Sequence, residues 1–182
     1  MTKKENRNRI LIIGGTGMLR EATDYFISNN FSVTLIARDI EKLNYFKNNY
    51  PEKNSIDLIS QDYCDTPKFI KAVKENITEH GAFDIVICWI HSKAENSLLQ
   101  LINTLEKYNN TTPFYHIKGS SSVGTKSALY TNKLDYREIF LGFKIDNNNS
   151  RWLTHAEISN GIIKAFVSNK KKYIVGQIKP LG

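Results

Sequence analysis

The sequence predicts an α/β fold, a doubly wound parallel sheet of six to seven strands flanked by helices, and three observations predict it. Short apolar runs alternate with longer helix-period segments along nearly the whole chain, as successive βα units require. Gly14, Gly15 and Gly17 follow the first apolar run directly and open the first helical pattern, the context in which such glycines carry structural meaning. At 182 residues the chain can bury one core well and a second only marginally. A single domain over 1–182 is therefore expected, with residues 1–8 as a basic tail.

The elements follow in order. Strands are expected at Arg9 to Ile13, Ser32 to Ala37, Ile56 to Ser60, Phe83 to Trp89 and Phe114 to Lys118, each a short run rich in Ile, Val, Leu and Phe. Between them, Met18 to Asn29, Ile40 to Asn49, Thr66 to Glu79 and Ala94 to Tyr108 carry apolar residues three and four apart, shown best by Leu98, Leu99, Ile102 and Leu105. Gly119 to Lys133 is rich in Ser, Gly and Thr, and Tyr136 to Ile145 reads as a sixth strand ending in a polar turn at residues 146–150. A last helix begins at Thr154, whose spacing to Glu157 is that of a capping box. Lys172 to Ile178 is the expected edge strand. Right-handed crossovers then place any ligand crevice at the carboxyl ends of the strands.

Composition narrows the function classes. No window approaches the roughly 18 consecutive apolar residues of a membrane span, and the apolar run behind the basic residues 1–9 stops at Gly14, short of the about 7 to 15 residues of a signal-peptide core. Cys64 and Cys88 are far apart, with neither a disulfide framework nor a zinc spacing, so no metal is expected and a reducing cytoplasm is the expected compartment. The net charge of +7 is dispersed apart from the tail and Lys170 to Lys172. Without aromatic and basic residues interleaved, it speaks for a solvated surface over nucleic-acid binding.

The stretch Gly14-Gly15-Thr16-Gly17-Met18-Leu19 carries the first functional expectation. Without a Cβ the backbone turns sharply and can approach a pyrophosphate, whose charge meets the amides at the helix N-terminus. Such a turn also occurs in α/β proteins that hold no ligand, but here it sits in a βαβ unit of about the 30 residues of a dinucleotide-binding Rossmann fold. Arg20 stands where Gly or Ala normally lets the helix pack on the sheet, so either the helix stands away or the side chain leaves the interface. At the end of strand 2 the order is Arg38 then Asp39. A cation there suits a 2'-phosphate and an acid a free 2'-hydroxyl, so NADP(H) is expected over NAD(H). The alternative for Arg38 is a solvated arginine paired with Asp39. Asp62, beside Tyr63, is either an acceptor for the adenine amino group or a loop cap. Trp89 and Ile90 border the expected ribose; Trp89 reads equally as core, and His91 as a structural histidine.

These residues resemble the short-chain dehydrogenase/reductase superfamily in its extended or atypical branch, through Gly14 to Leu19, Ala37-Arg38, Asp62 and Gly119-Ser-Ser-Ser122. The segments Arg151 to Ser159 and Tyr173 to Gly176 also look like small bacterial proteins of that group. The resemblance implies that Ser120 or Ser121 orients a substrate and that a Tyr with a Lys four positions later delivers a proton. That pair is missing. The nearest match, Tyr130-Thr-Asn-Lys133, is one residue short, so the pair is not carried over; Tyr130, His91 and Tyr115 are left as conjectural proton donors and Ser121 as a catalytic candidate in the orienting role. The implied function is an NADPH-dependent oxidoreductase acting on a small carbonyl or related substrate, as a possible homo-oligomer. The alternative is a non-catalytic NADP(H)-binding regulatory or redox-sensing protein.

Overall fold

The computed structural model describes residues 7–51, 55–123, 134–146 and 149–178. Seven parallel strands form one sheet: β1 (Arg9–Ile13), β2 (Ser32–Ala37), β3 (Ile56–Ser60), β4 (Ile85–Cys88), β5 (Pro113–Gly119), β6 (Asp135–Leu141) and, last in sequence, β9 (Lys172–Val175). Their spatial order is β3-β2-β1-β4-β5-β6-β9. The crossovers are α1 (Arg20–Ser28), α2 (Ile40–Asn49), α3 (Thr66–His80), α4 (Glu95–Glu106) and α5 (His155–Ser168).

The sheet is buried on both faces, which is why its central strands are continuous apolar runs rather than alternating ones. Ile10, Ile12, Leu35 and Ile117 pack with Phe26 of α1, Phe46 of α2 and Ile162 of α5. Leu11, Ile13, Val86 and Phe114 pack with Phe69 and Val73 of α3 and Leu101 of α4. Phe26 meets Phe166 edge to face at 5.0 Å, joining α1 to α5. Full burial of each such side chain contributes about 1.5–3 kcal/mol. Among the described residues, no helix is long and apolar enough to cross a membrane.

Sequence and structure part company at strands 4 and 6. Strand 4 is shorter than expected, because Phe83 and Trp89 flank β4 instead of lying in it. The expected strand Tyr136 to Ile145 is broken at Gly142, where a Cβ would come within 2.1 Å of the Gln177 carbonyl oxygen. The chain crosses another backbone there and leaves the sheet. Its continuation, β7 (Phe143–Asp146), pairs antiparallel with β8 (Asn149–Trp152) in a separate hairpin. The capping box is present: Thr154 Oγ1 accepts from Glu157 N at 3.2 Å and Glu157 Oε2 accepts from Thr154 N at 2.9 Å.

Candidate functional site

Parallel, in-register pairing sets the carboxyl ends of β3, β2, β1, β4 and β5 side by side. From β1 the chain winds outward to β2 and β3 on one side, while β4 and β5 lie on the other, so the rim has its crevice between β1 and β4. The glycine turn fills this position. Gly14 has a φ of +82°, a conformation that L side chains rarely adopt, and a Cβ on it would stand 3.1 Å from the Trp89 carbonyl oxygen. Gly15 is enclosed: a Cβ would lie 2.5 Å from Leu35 and 2.7 Å from both Ile12 and Thr23. Gly17 differs from both. It is exposed, and a Cβ there would meet nothing within 4 Å. Packing explains the first two glycines; the third borders open space at the start of α1.

Leu19, the N-cap of α1, gives no side-chain cap, as Ala94 gives none to α4, whereas Asp39, Asp65 and Thr154 cap α2, α3 and α5. The first turn of α1 lacks a side-chain acceptor, and Arg20 N is bonded to the Gly17 carbonyl at 3.1 Å. The glycine turn is held from behind. Ser159 of α5, 1% exposed, donates to the Met18 carbonyl at 2.9 Å, and Thr23 Oγ1 bonds the carbonyls of Gly15 at 3.1 Å and Leu19 at 3.0 Å. Thr16 is half-buried and Leu19 fully buried. Arg20 has left the helix–sheet interface and lies over the Tyr45 ring of α2 at 5.3 Å.

At the ends of β2 and β3, Arg38 Nη1 lies 3.7 Å from Asp62 Oδ2, with the two side chains 65% and 40% exposed. Arg38 is thus paired across the strands with Asp62, not with Asp39. Asp39 Oδ1 accepts from Glu41 N at 3.1 Å and Lys42 N at 3.2 Å, which commits it to capping α2. Asp62 is also a loop cap, since Oδ1 accepts from Cys64 N at 2.8 Å. That bond, with Arg38 and Lys93 nearby, holds its carboxyl below the usual range against the effect of burial.

Along the β4 end, Trp89 N bonds the Ile13 carbonyl at 3.0 Å and its ring meets His91 edge to face at 5.5 Å. His91 is exposed. Ile90 points into the α3–α4 core instead of the rim. Half-buried Tyr63 packs against that core, and burial raises its phenol, partly offset by the His91 backbone N–H. Past β5, Ser120–Ser122 form one turn of 3-10 helix with Ser121 exposed. Tyr115 is buried well below the end of β5, its hydroxyl accepting from Arg137 Nη1 at 3.1 Å. Tyr130 and Lys133 lie outside the described residues.

Sequence reasoning missed a buried polar strip on the other face of β5 and β6. His116 Nδ1 lies 2.6 Å from the Tyr136 hydroxyl, and Lys118 Nζ lies 3.0 Å from Glu138 Oε1, with side chains 9% and 7% exposed. The signal was present as polar residues at i and i+2 in two successive strands. Burial pushes His116 down to about 4, with Lys118 adding to the effect and Glu138 opposing it. Burial also pushes the Cys88 thiol up, so it stays protonated. Among the described residues, no group of three or more His, Cys, Asp or Glu could hold a metal ion.

No protein-family model matches the sequence, and no curated protein is similar to it at a significant level. Solved structures do match over nearly the whole chain. A short-chain dehydrogenase/reductase described as glucose/ribitol dehydrogenase, from Brucella melitensis, aligns with a TM-score of 0.69 at 13% identity, covering 94% of this chain and 96% of its own. A β-ketoacyl-ACP reductase from Bacteroides thetaiotaomicron gives 0.68 at 12% identity, over 94% and 97%. An NADPH-dependent reductase involved in bacilysin biosynthesis gives 0.68 at 12%, over 94% and 100%. The fold is that of the short-chain dehydrogenase/reductases. On the short-chain dehydrogenase frame, the glycine turn, Arg38, Asp62 and the serine turn all lie on the carboxyl rim of one sheet.

Proposed function

We propose that the protein is a one-domain, cytoplasmic NADP(H)-binding oxidoreductase that reduces a small carbonyl or related compound. The observation that carries this reading is the division of labour between Arg38 and Asp39. The carboxylate that would hold a free ribose 2'-hydroxyl is used up in capping α2, while the guanidinium beside it is exposed at the rim. A 2'-phosphate would take two hydrogen bonds from that planar fork.

The residues fit the rest of such a cofactor. Gly17 leaves room for a pyrophosphate at the start of α1, and the Trp89 ring stands past β4, edge to face with His91. When bound, a nicotinamide supplies hydride chemistry; the chain's own part is to bind, orient and protonate. In this reading Ser121, exposed past β5, would donate a hydrogen bond to a substrate oxygen. The sequence contains no Tyr followed four positions later by Lys, and this favours a second reading, an NADP(H)-binding regulatory protein without turnover.

Two measurements test the proposal. Calorimetric titration should show NADPH binding at least about tenfold more tightly than NADH, a difference of about 1.4 kcal/mol; equal affinity overturns the cofactor assignment. Loss of NADPH absorbance across a panel of aldehydes, ketones and quinones should reveal turnover. Stoichiometric binding with no turnover would leave the regulatory reading.

A further inference from the structure

The β7–β8 hairpin has two unlike faces. On one, Lys144 and Arg151 stand opposite each other and both bind Glu157 in the first turn of α5, at 3.0 Å from Lys144 and at 2.8 and 2.9 Å from Arg151. Arg151 also reaches Asp146 at 2.8 Å. Alternation along the strands turns Phe143, Ile145 and Trp152 to the other face, away from α5. There the Phe143 and Trp152 rings pair across the hairpin with centroids 4.6 Å apart, and Trp152 is 71% exposed.

This platform is fixed in place. Phe143 exchanges two backbone bonds with Gln177, each 2.8 Å, and Gly142 N donates to Val175 O at 2.9 Å. Leu141, just before it, is in register with Gly119, the residue that precedes the serine turn. The aromatic pair therefore lies past the carboxyl end of β6 and is anchored on its β9 side, one strand over from the β5 end that leads into Ser120–Ser122.

We infer that the Phe143–Trp152 pair is a stacking platform for the substrate, and that the substrate is a planar, ring-bearing carbonyl compound. Trp152 meets the Phe143 ring, and most of the indole remains open to solvent. The size of the patch decides the occupant. A stable protein interface needs about 800 Å² from each partner, whereas this face offers one exposed ring, with Phe143 and Ile145 half-buried and charged residues on the reverse. It matches one or two fused rings. The inference deepens the oxidoreductase reading and rests on it for the word substrate, while the stacking itself needs no cofactor.

The test is calorimetric binding of 2-acetonaphthone, with open-chain 2-octanone as control, to protein without NADPH. Wild type should bind the naphthyl ketone more tightly than the octanone. Trp152→Ala should weaken the naphthyl ketone about tenfold and leave the octanone unchanged, and Trp152→Phe should restore most of the loss. With NADPH present, the same variant should raise KM for the naphthyl ketone and leave kcat near wild type. Circular dichroism checks that both variants fold. No binding by wild type, or equal binding by wild type and Trp152→Ala, overturns the platform. So does a wild-type dimer in sedimentation that Trp152→Ala dissolves, since a second copy would then be the occupant. Binding that depends on Trp152 without turnover supports the platform and counts against the oxidoreductase reading instead.

Discussion

Arg38 and Asp62, which close β2 and β3, face each other at 3.7 Å across the carboxyl rim of the sheet. An exposed pair of this kind contributes little to stability, typically ~0–1 kcal/mol. The guanidinium therefore stays exposed at the rim and only weakly engaged. Arg38→Ala should leave the melting temperature within about a degree or two of wild type and lower NADPH affinity about tenfold or more, with NADH affinity unchanged. Thermal-shift titration with both nucleotides checks this, and an unchanged NADPH response would remove Arg38 from the site.

Gly15 and Gly17 separate folding from binding. A methyl at Gly15 would press on Leu35, Ile12 and Thr23 at 2.5–2.7 Å, so Gly15→Ala should cost about 1–3 kcal/mol by overpacking. Gly17 has open space around it. Gly17→Val should therefore melt close to wild type yet, on the proposed reading, bind NADPH at least about tenfold more weakly, because its side chain would fill the space proposed for the pyrophosphate. Urea denaturation and calorimetry on the two variants decide the matter; a Gly17→Val protein with full affinity would put the dinucleotide elsewhere.

The fold around the candidate site was legible in sequence where local chemistry fixes it. Strand, glycine turn and helix are contiguous, and β1, β2 and β3 end where their apolar runs end. Arg38 was visible as the first residue past such a run, but its partner was not, since Asp62 comes alongside only through the parallel pairing of β2 with β3. The hairpin was hidden for a similar reason. Apolar residues continue across Gly142, from Ile139, Phe140 and Leu141 to Phe143 and Ile145, and the break there is imposed by Gln177, distant in sequence. Arg20 looked like a flaw in the glycine pattern because its resting place, the Tyr45 ring, belongs to another helix.

Ser159 ties α5 to the glycine turn through the Met18 carbonyl. Ser159→Ala removes the donor and leaves that carbonyl short of a partner, at a cost of about 1 kcal/mol. If the turn it braces receives the pyrophosphate, as proposed, NADPH affinity should fall about threefold to tenfold, beyond what the small loss of stability explains. Retention of full affinity by a measurably destabilised Ser159→Ala protein would show that the bond serves the fold alone.

His116 gives the molecule a pH dependence of definite sign. The imidazole lies 2.6 Å from the Tyr136 hydroxyl, beside the Lys118–Glu138 pair, and burial pushes it down to about 4 from its ordinary 6.5. Between those values the unfolded chain takes up a proton that the native protein refuses, so stability falls as pH drops through this window and is fully present above it. From pH 7 to pH 5 the loss should be about 2 kcal/mol, read as a lower urea midpoint. His116→Gln keeps a hydrogen-bonding group near Tyr136 but cannot titrate, so its midpoint should change less over the same interval. If the two proteins lose stability in parallel, other groups carry the acid sensitivity and the neutral imidazole has no part in it.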